Sequence, residues 1–400
     1  MLIRRLVAGL VSAALLVQPV AAQVSAPAVH ASEPQVAPAI AGVEPAYVPQ
    51  DKMERGLWMQ MDDAERELKR SPLVIRDPEL NAYVRSVLCR TVGAGKCAQV
   101  RLYLVRTPDF NATMAPNGVM QVWSGLLLRT QNESQLAAVL GHEYTHYENR
   151  HSLRLFREIK SKSASAAWLA FTGIGLIASF GLLADMFKFS REMEREADMG
   201  GLALMAKAGY DTREASKVWQ QLREEMDATA ANRQIKSKKD KSGGMFASHP
   251  PTAERVAYLA AAAAEQPGDP AGSGAASYAA AMAKDWPAFV DDQIKNNDFG
   301  SAEYLITSMA KAGWSDRLLY ARGELYRRRA GDGDLGKAAG YYSEAIGAGG
   351  TLPELWRGRG LALLKLGKAE EGKADLNEYL KRAPGASDKA MIAMMAGGSS

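Results

Sequence analysis

Residues 132–146 read Asn132-Glu133-Ser134-Gln135-Leu136-Ala137-Ala138-Val139-Leu140-Gly141-His142-Glu143-Tyr144-Thr145-His146, and the rest of the chain is best approached from this stretch. Asn132 suits a helix N-cap, Gln135 stands at the capping-box position, and Leu136, Val139 and Leu140 supply a buried face. The stretch is therefore expected to be helical. Residues four apart on a helix lie one above the other, so His142 and His146 aim two imidazoles at one point. That spacing suits a tetrahedral zinc ion. Glu143, next to the first histidine, can reach a water on such an ion and take its proton as a carbonyl is attacked.

Two histidines do not complete a metal site. The run Ser190-Arg191-Glu192-Met193-Glu194-Arg195-Glu196-Ala197-Asp198 offers more donors. A second helix here can present Glu194 to the ion, with Asp198 one turn further on the same face. Asp198 can then accept the second ring N–H of a ligand histidine and hold its tautomer.

Upstream, Asp77 to Arg90 has helical period, with Leu80, Tyr83, Val84 and Val87 on one face. Val100 to Val105 alternates like a strand, Pro116-Asn117-Gly118 is a turn signal, and Val119 to Trp123 is expected to be a second strand. Cys89 and Cys97, the only two cysteines, flank a loop containing Gly93 and Gly95. Two cysteines exclude a disulfide scaffold or a four-cysteine metal site. In an oxidising compartment they are expected to pair and pin a helix end to the following strand.

The N-terminus points to such a compartment. Arg4 and Arg5 precede the apolar run Leu6 to Val17, Pro19 breaks it, and Val20-Ala21-Ala22 has the small residues of a cleavage site. Residues 1–22 are read as a signal peptide and 23–50, rich in Ala, Pro and Val, as a flexible leader that contains His30. Residues 51–265 form the first domain. The segment 266–277, with Pro267, Gly268, Pro270, Gly272 and Gly274, reads as a linker. Residues 278–400 recur in helical units. Gly323 and Gly360 each precede a large apolar residue, Tyr326 and Leu363, by three positions. Each is followed by a helix with Ala338, Tyr342 and Ala345, or Gly372, Leu376 and Tyr379, at matching offsets; a weaker unit lies near 287–312. This pattern resembles tetratricopeptide repeats. The balance of 49 basic and 45 acidic residues is too even for a nucleic-acid-binding stripe.

With His142-Glu143-x-x-His146 and Glu194-x-x-x-Asp198 in hand, the sequence resembles metallopeptidase family forty-eight, zinc peptidases of the HtpX and CAAX-prenyl-endopeptidase type. It looks most similar to the BepA-like periplasmic branch, in which a signal peptide and C-terminal tetratricopeptide repeats bracket the peptidase. Further matches are Asn111-Ala112, Pro116-Asn117-Gly118, Val122-Trp123-Ser124-Gly125-Leu126-Leu127 and Ser248-His249-Pro250-Pro251. The resemblance covers roughly residues 50 to 262 with specific motifs, and the C-terminal third only as a domain type. It implies an α+β zincin-like (gluzincin) domain, mostly helical with a small sheet, followed by an all-α tetratricopeptide-repeat-like domain. It makes Glu194, rather than Glu192 or Glu196, the third ligand of one Zn2+ per chain. It offers His249 as a fourth ligand that gates the site, or as a group stabilising the developing oxyanion. His151 is expected to be a structural residue at the end of the metal helix. By the same resemblance, Val119, Met120, Gln121 and Val122 could act as an edge strand pairing an extended substrate.

One stretch conflicts with a shared metal. Ser163 to Ala184 carries no charge and reaches bilayer length, but a single crossing would put Glu194 opposite the two histidines. A non-spanning segment, in peripheral contact with a membrane surface at most, is expected. The resulting expectation is a periplasmic zinc metalloendopeptidase acting on unfolded or misassembled envelope proteins. Its repeat domain would bind substrates or envelope assembly machinery, and nucleic acid is not an expected partner. The alternative is a chaperone or assembly scaffold with a latched or structural zinc site.

Overall fold

Residues 47–162, 189–239 and 249–397 are described by the computed structural model. The expected signal peptide, most of the leader with His30, the 163–184 run and residues 240–248 of the loop before His249 lie outside the described residues. Along the chain come α1 (Lys52–Arg70), α2 (Pro78–Val92), α3 (Ala94–Cys97), β1 (Arg101–Val105), β2 (Ala112–Met114), β3 (Val119–Trp123), α4 (Ser124–Arg129), α5 (Glu133–Glu148) and α6 (His151–Lys162). After the undescribed stretch follow α7 (Arg191–Lys207), α8 (Glu214–Asn232) and α9 (Ala253–Glu265). The C-terminal part holds α10 (Ala275–Met282), α11 (Trp286–Lys295), α12 (Phe299–Met309), α13 (Asp316–Arg329), α14 (Asp334–Gly347), α15 (Glu354–Lys365), α16 (Ala369–Arg382) and α17 (Lys389–Met395). Among the described residues no helix is long and apolar enough to cross a membrane.

Helix α2 starts where its sequence says it should. Asp77 caps it by accepting from the Leu80 N–H at 2.9 Å, and Pro78 stands at its first position. Its buried face, Leu80, Val84, Val87 and Leu88, joins the main core. A disulfide joins Cys89 near the end of α2 to Cys97 at the end of α3, four residues before β1 begins. The expected pairing is formed, but it ties the end of α2 to the short helix α3 that leads into β1 rather than to the strand itself.

The sheet corrects one expectation. Its strand order is β1-β3-β2, with β3 parallel to β1 and antiparallel to β2. Val119, Met120, Gln121 and Val122 pair with Arg101, Leu102, Tyr103 and Leu104 on one side. On the other side Met120, Gln121 and Val122 pair with Met114, Thr113 and Ala112, and the Val119 carbonyl accepts from the Ala115 N–H. These four residues are the centre of the sheet, with their backbone groups engaged, and cannot serve as an edge strand. The edge beside the metal helix is β2, which lies against α5.

The segment read as a linker is packed, not free. Pro270–Ser273 makes a 3-10 turn and α10 already begins at Ala275. The Ser134 hydroxyl donates to the Gly272 carbonyl, and the Thr212 hydroxyl to that of Gln266. A Cβ on Gly268 would fall 1.7 Å from the Tyr210 carbonyl oxygen, so the glycine content serves contact with the preceding part. Beyond it the helices pack in successive pairs, α13 with α14 and α15 with α16. A Cβ on Gly323 or on Gly358 would strike the Tyr342 ring, and one on Gly360 would lie 2.9 Å from the Gly372 carbonyl oxygen. Small residues thus admit the close approach that the offsets anticipated, and Ala338, Tyr342, Ala345 and Leu376 are fully buried.

Candidate metal centre

Two helices build the centre. In α5 the Asn132 side chain accepts from the Gln135 N–H at 2.8 Å, while Gln135 reaches back to the N–H of Gln131, one residue before the cap. Helix α7 is capped by Ser190, which accepts from the Met193 N–H. The two helices cross at a seam without side chains. A Cβ on Gly201 would stand 2.8 Å from the His142 backbone nitrogen, and one on Gly141 would stand 3.2 Å from the Gly201 Cα. This close approach lets Glu194 and Asp198, one turn apart on α7, reach across to the histidines of α5.

The side chains converge. His142 Nε2 lies 3.0 Å from His146 Nε2 and 3.2 Å from His249 Nδ1. Glu194 Oε1 is 2.8 Å from His249 Nδ1 and 3.4 Å from His146 Nε2, and its Oε2 is 3.7 Å from His142 Nε2. One ligand atom from each of His142, His146, Glu194 and His249 fits within 4.8 Å of all the others. Four donors around zinc at about 2.0–2.1 Å stand about 3.3 Å apart, close to the spacings here. The donor set itself fits a cation. The His142 Nδ1–H donates to Asp198 at 2.8 Å, which leaves the Nε2 lone pair facing its neighbours. Glu194 Oε2 is buried and accepts no hydrogen bond.

Electrostatics organise the surroundings. Arg255 donates to both oxygens of Asp198, at 2.6 and 2.7 Å, and its Nη1 lies 3.2 Å from Glu194 Oε2. Its guanidinium stacks 3.4 Å over the Trp219 ring, and the Tyr258 hydroxyl also donates to Asp198. Burial works against the charge on Asp198, but Arg255 and His142 outweigh it and push the carboxyl down to about 2. Burial likewise opposes ionised Glu194, and His249 with Arg255 holds it well below the usual carboxylate range. For Glu143 the balance is reversed. Burial pushes its carboxyl up, against the weaker pull of His249, whose Nε2 is 3.6 Å away. It is thus a carboxyl suited to exchanging a proton. Burial keeps His146 neutral, as an imidazole ligand must be.

Of the residues singled out from the sequence, His142, Glu143, His146, Glu194, Asp198 and His249 meet at one point; Val119 to Val122 do not join them. Arg255, Trp219 and Phe189, stacked 4.1 Å from the His146 ring, were not anticipated. Arg255 stands six residues after His249, within the helix that follows the proline pair, and no spacing rule singles it out. Beside His146 lies a cavity of about 100 Å³ lined by Trp58, Met114, Tyr144, Tyr147 and Arg150, among others.

Residues 74–263 match the model of Peptidase family M48. The chain is 30% identical over 210 residues to the putative beta-barrel assembly-enhancing protease of Vibrio cholerae, covering 47% of this chain and 43% of that protein. It is 33% identical over 182 residues to the mitochondrial metalloendopeptidase OMA1 of Schizosaccharomyces pombe, covering 44% and 50%. It is 31% identical over 173 residues to the beta-barrel assembly-enhancing protease of Escherichia coli, covering 39% and 35%. The matched region spans half or less of the length of each of these relatives.

Proposed function

Residues 74–263 belong to peptidase family M48, and on that premise we propose that the chain is a zinc metalloendopeptidase exported to the cell envelope, where it cleaves unfolded or misassembled proteins. The carrying observation is the convergence of His142, His146, Glu194 and His249 within 4.8 Å, with Glu143 beside them. His142, His146 and Glu194 would hold the ion. Bound there, it would supply Lewis acidity, lowering the pKa of a water and polarising the scissile carbonyl. Glu143 takes the proton of the attacking water and returns it to the leaving amine. Asp198 and Arg255 keep the His142 tautomer and the Glu194 carboxylate in place. Among the described residues β2, Ala112–Met114, is the terminal strand of the sheet beside α5 and would be the one to pair an extended substrate backbone.

The names of two relatives, beta-barrel assembly-enhancing proteases, support beta-barrel assembly as the setting, and the signal-like N-terminus supports a periplasmic location. The C-terminal helix pairs read as tetratricopeptide-like repeats that would bind substrate or assembly partners. Purified protein is to be tested on an unfolded substrate with and without chelator, beside Glu143→Gln. Chelation and the substitution should each abolish cleavage; equal cleavage in every arm removes the assignment.

A second reading, a chaperone or assembly scaffold with a structural zinc site, is favoured by one observation. His249 Nδ1 already stands among the ligands, and a fourth protein ligand closes the coordination sphere as structural sites do. His249→Ala separates the two. A latched peptidase gains activity and keeps its metal, whereas a structural site loses metal and thermal stability.

A further inference from the structure

We propose that His151 is a positioning residue for the metal centre: with Glu196 behind it, it holds His146 in the one tautomer that can ligate. This rests on the metal-site reading above. His151 is completely buried, and its Nδ1 lies 2.8 Å from His146 Nδ1, the ring nitrogen turned away from the ligand cluster. Its other nitrogen, Nε2, lies 2.9 Å from Glu196 Oε2. The carboxylate sets the direction of the whole chain. It can only accept, so His151 Nε2 carries the proton and its Nδ1 presents a lone pair. His146 must then donate from Nδ1, which frees the Nε2 lone pair that stands 3.0 Å from His142 Nε2. The reverse arrangement would set a lone pair of His151 against a carboxylate and aim a proton of His146 into the ligand cluster.

The backbone is bent to make this contact. Arg150 adopts a left-handed conformation, φ 56°, and α6 starts at the next residue. The sharp turn returns His151 beneath the last turn of α5. Such a conformation persists in a non-glycine residue where the surroundings demand it. His151 cannot itself be a ligand, because its near nitrogen is engaged with the outer side of His146. Thus both ligand histidines of α5 have an acceptor on their far nitrogen: Asp198 for His142, and His151 relayed to Glu196 for His146. Partners of this kind typically change metal affinity by 10–100-fold when removed.

The test is the zinc dissociation constant of the full chain by competition with a chromophoric chelator, with the melting temperature of each metal-free protein measured alongside. His151→Phe should bind zinc about 10–100-fold more weakly. His151→Asn, whose carbonyl oxygen takes the place of Nδ1, should recover affinity to within about threefold of wild type. Glu196→Ala, on a half-exposed side chain, should fall between them with an unchanged metal-free melting temperature. Wild-type affinity in His151→Phe, or equal losses in the Phe and Asn variants, overturns the positioning role. Should His151→Phe fail to fold, Glu196→Ala decides, and unaltered zinc affinity there overturns it. A wild type that binds no zinc sinks the metal-site reading, and this inference with it.

Discussion

Arg255 places one positive charge between two carboxylates in a space closed to water, and its removal strands both. Arg255→Met should cost about 3–5 kcal/mol, the usual range when one partner of a buried ion pair is deleted, read from urea unfolding midpoints. Arg255→Lys should recover little, because a point charge cannot reproduce the two parallel bonds to Asp198 or the stacking on Trp219. An exposed pair such as Arg382 with Glu378 should contribute under about 1 kcal/mol in the same assay. At this scale, legibility depends on how far apart the partners stand in the chain. His142 and His146 were visible because two ligands on one helix turn stand four residues apart; Glu194 and Asp198 share that spacing, but the resemblance, not the spacing, chose Glu194 over Glu192 and Glu196. Arg255 meets Asp198 across 57 positions, and His151 meets His146 around a left-handed turn, so neither contact leaves a local pattern.

Among the elements, the crossing of α5 and α7 is the one on which the chemistry depends, and it is made of glycine. Gly201→Ala would push a methyl group to 2.8 Å from the His142 backbone nitrogen, where backbone cannot yield as a flexible side chain does. We expect a loss of about 1–3 kcal/mol together with weaker zinc binding, since the Glu194 carboxylate retreats with its helix. Gly340→Ala is the control. That residue is exposed within α14, with nothing within 4 Å of the added carbon, so the change should stabilise by about 0.5–1 kcal/mol. Calorimetry and chelator competition read both. Helix α5 was legible from its capping residues and apolar face and α2 from its apolar period; the glycine seam was not, because a glycine in a helix shows no partner in its own sequence. The sheet was half legible for a related reason. Strand β1 alternates and β3 is a short apolar run behind a turn signal, whereas β2 has three residues, too few for a period; the edge role given to β3 came from the resemblance, and no pattern in the sequence showed the strand that covers it.

In the molecule as a whole, the helix pairs at the C-terminus are not hung from the first part by a tether. Arg129, at the end of α4, pairs with Glu225 of α8 and donates to Gln293 of α11, all three buried. Ser301 of α12 donates to the same Glu225, and Arg106 pairs with Asp292. Leu126, Trp219, Phe289, Val290 and Tyr342 belong to a single hydrophobic cluster. Composition hid this, because proline and glycine mark both free linkers and tight contacts, and only the neighbouring atoms tell them apart. Full-length protein should therefore unfold in one calorimetric transition, while a fragment ending at residue 265 should melt at least several degrees lower, or fail to stay soluble, with Arg129 and Glu225 uncovered. Helix pairs fused this way are no interchangeable cassette. Grafting foreign helix pairs here would require recutting the Arg129 seam, because the C-terminal helices are welded to the half that carries the metal centre.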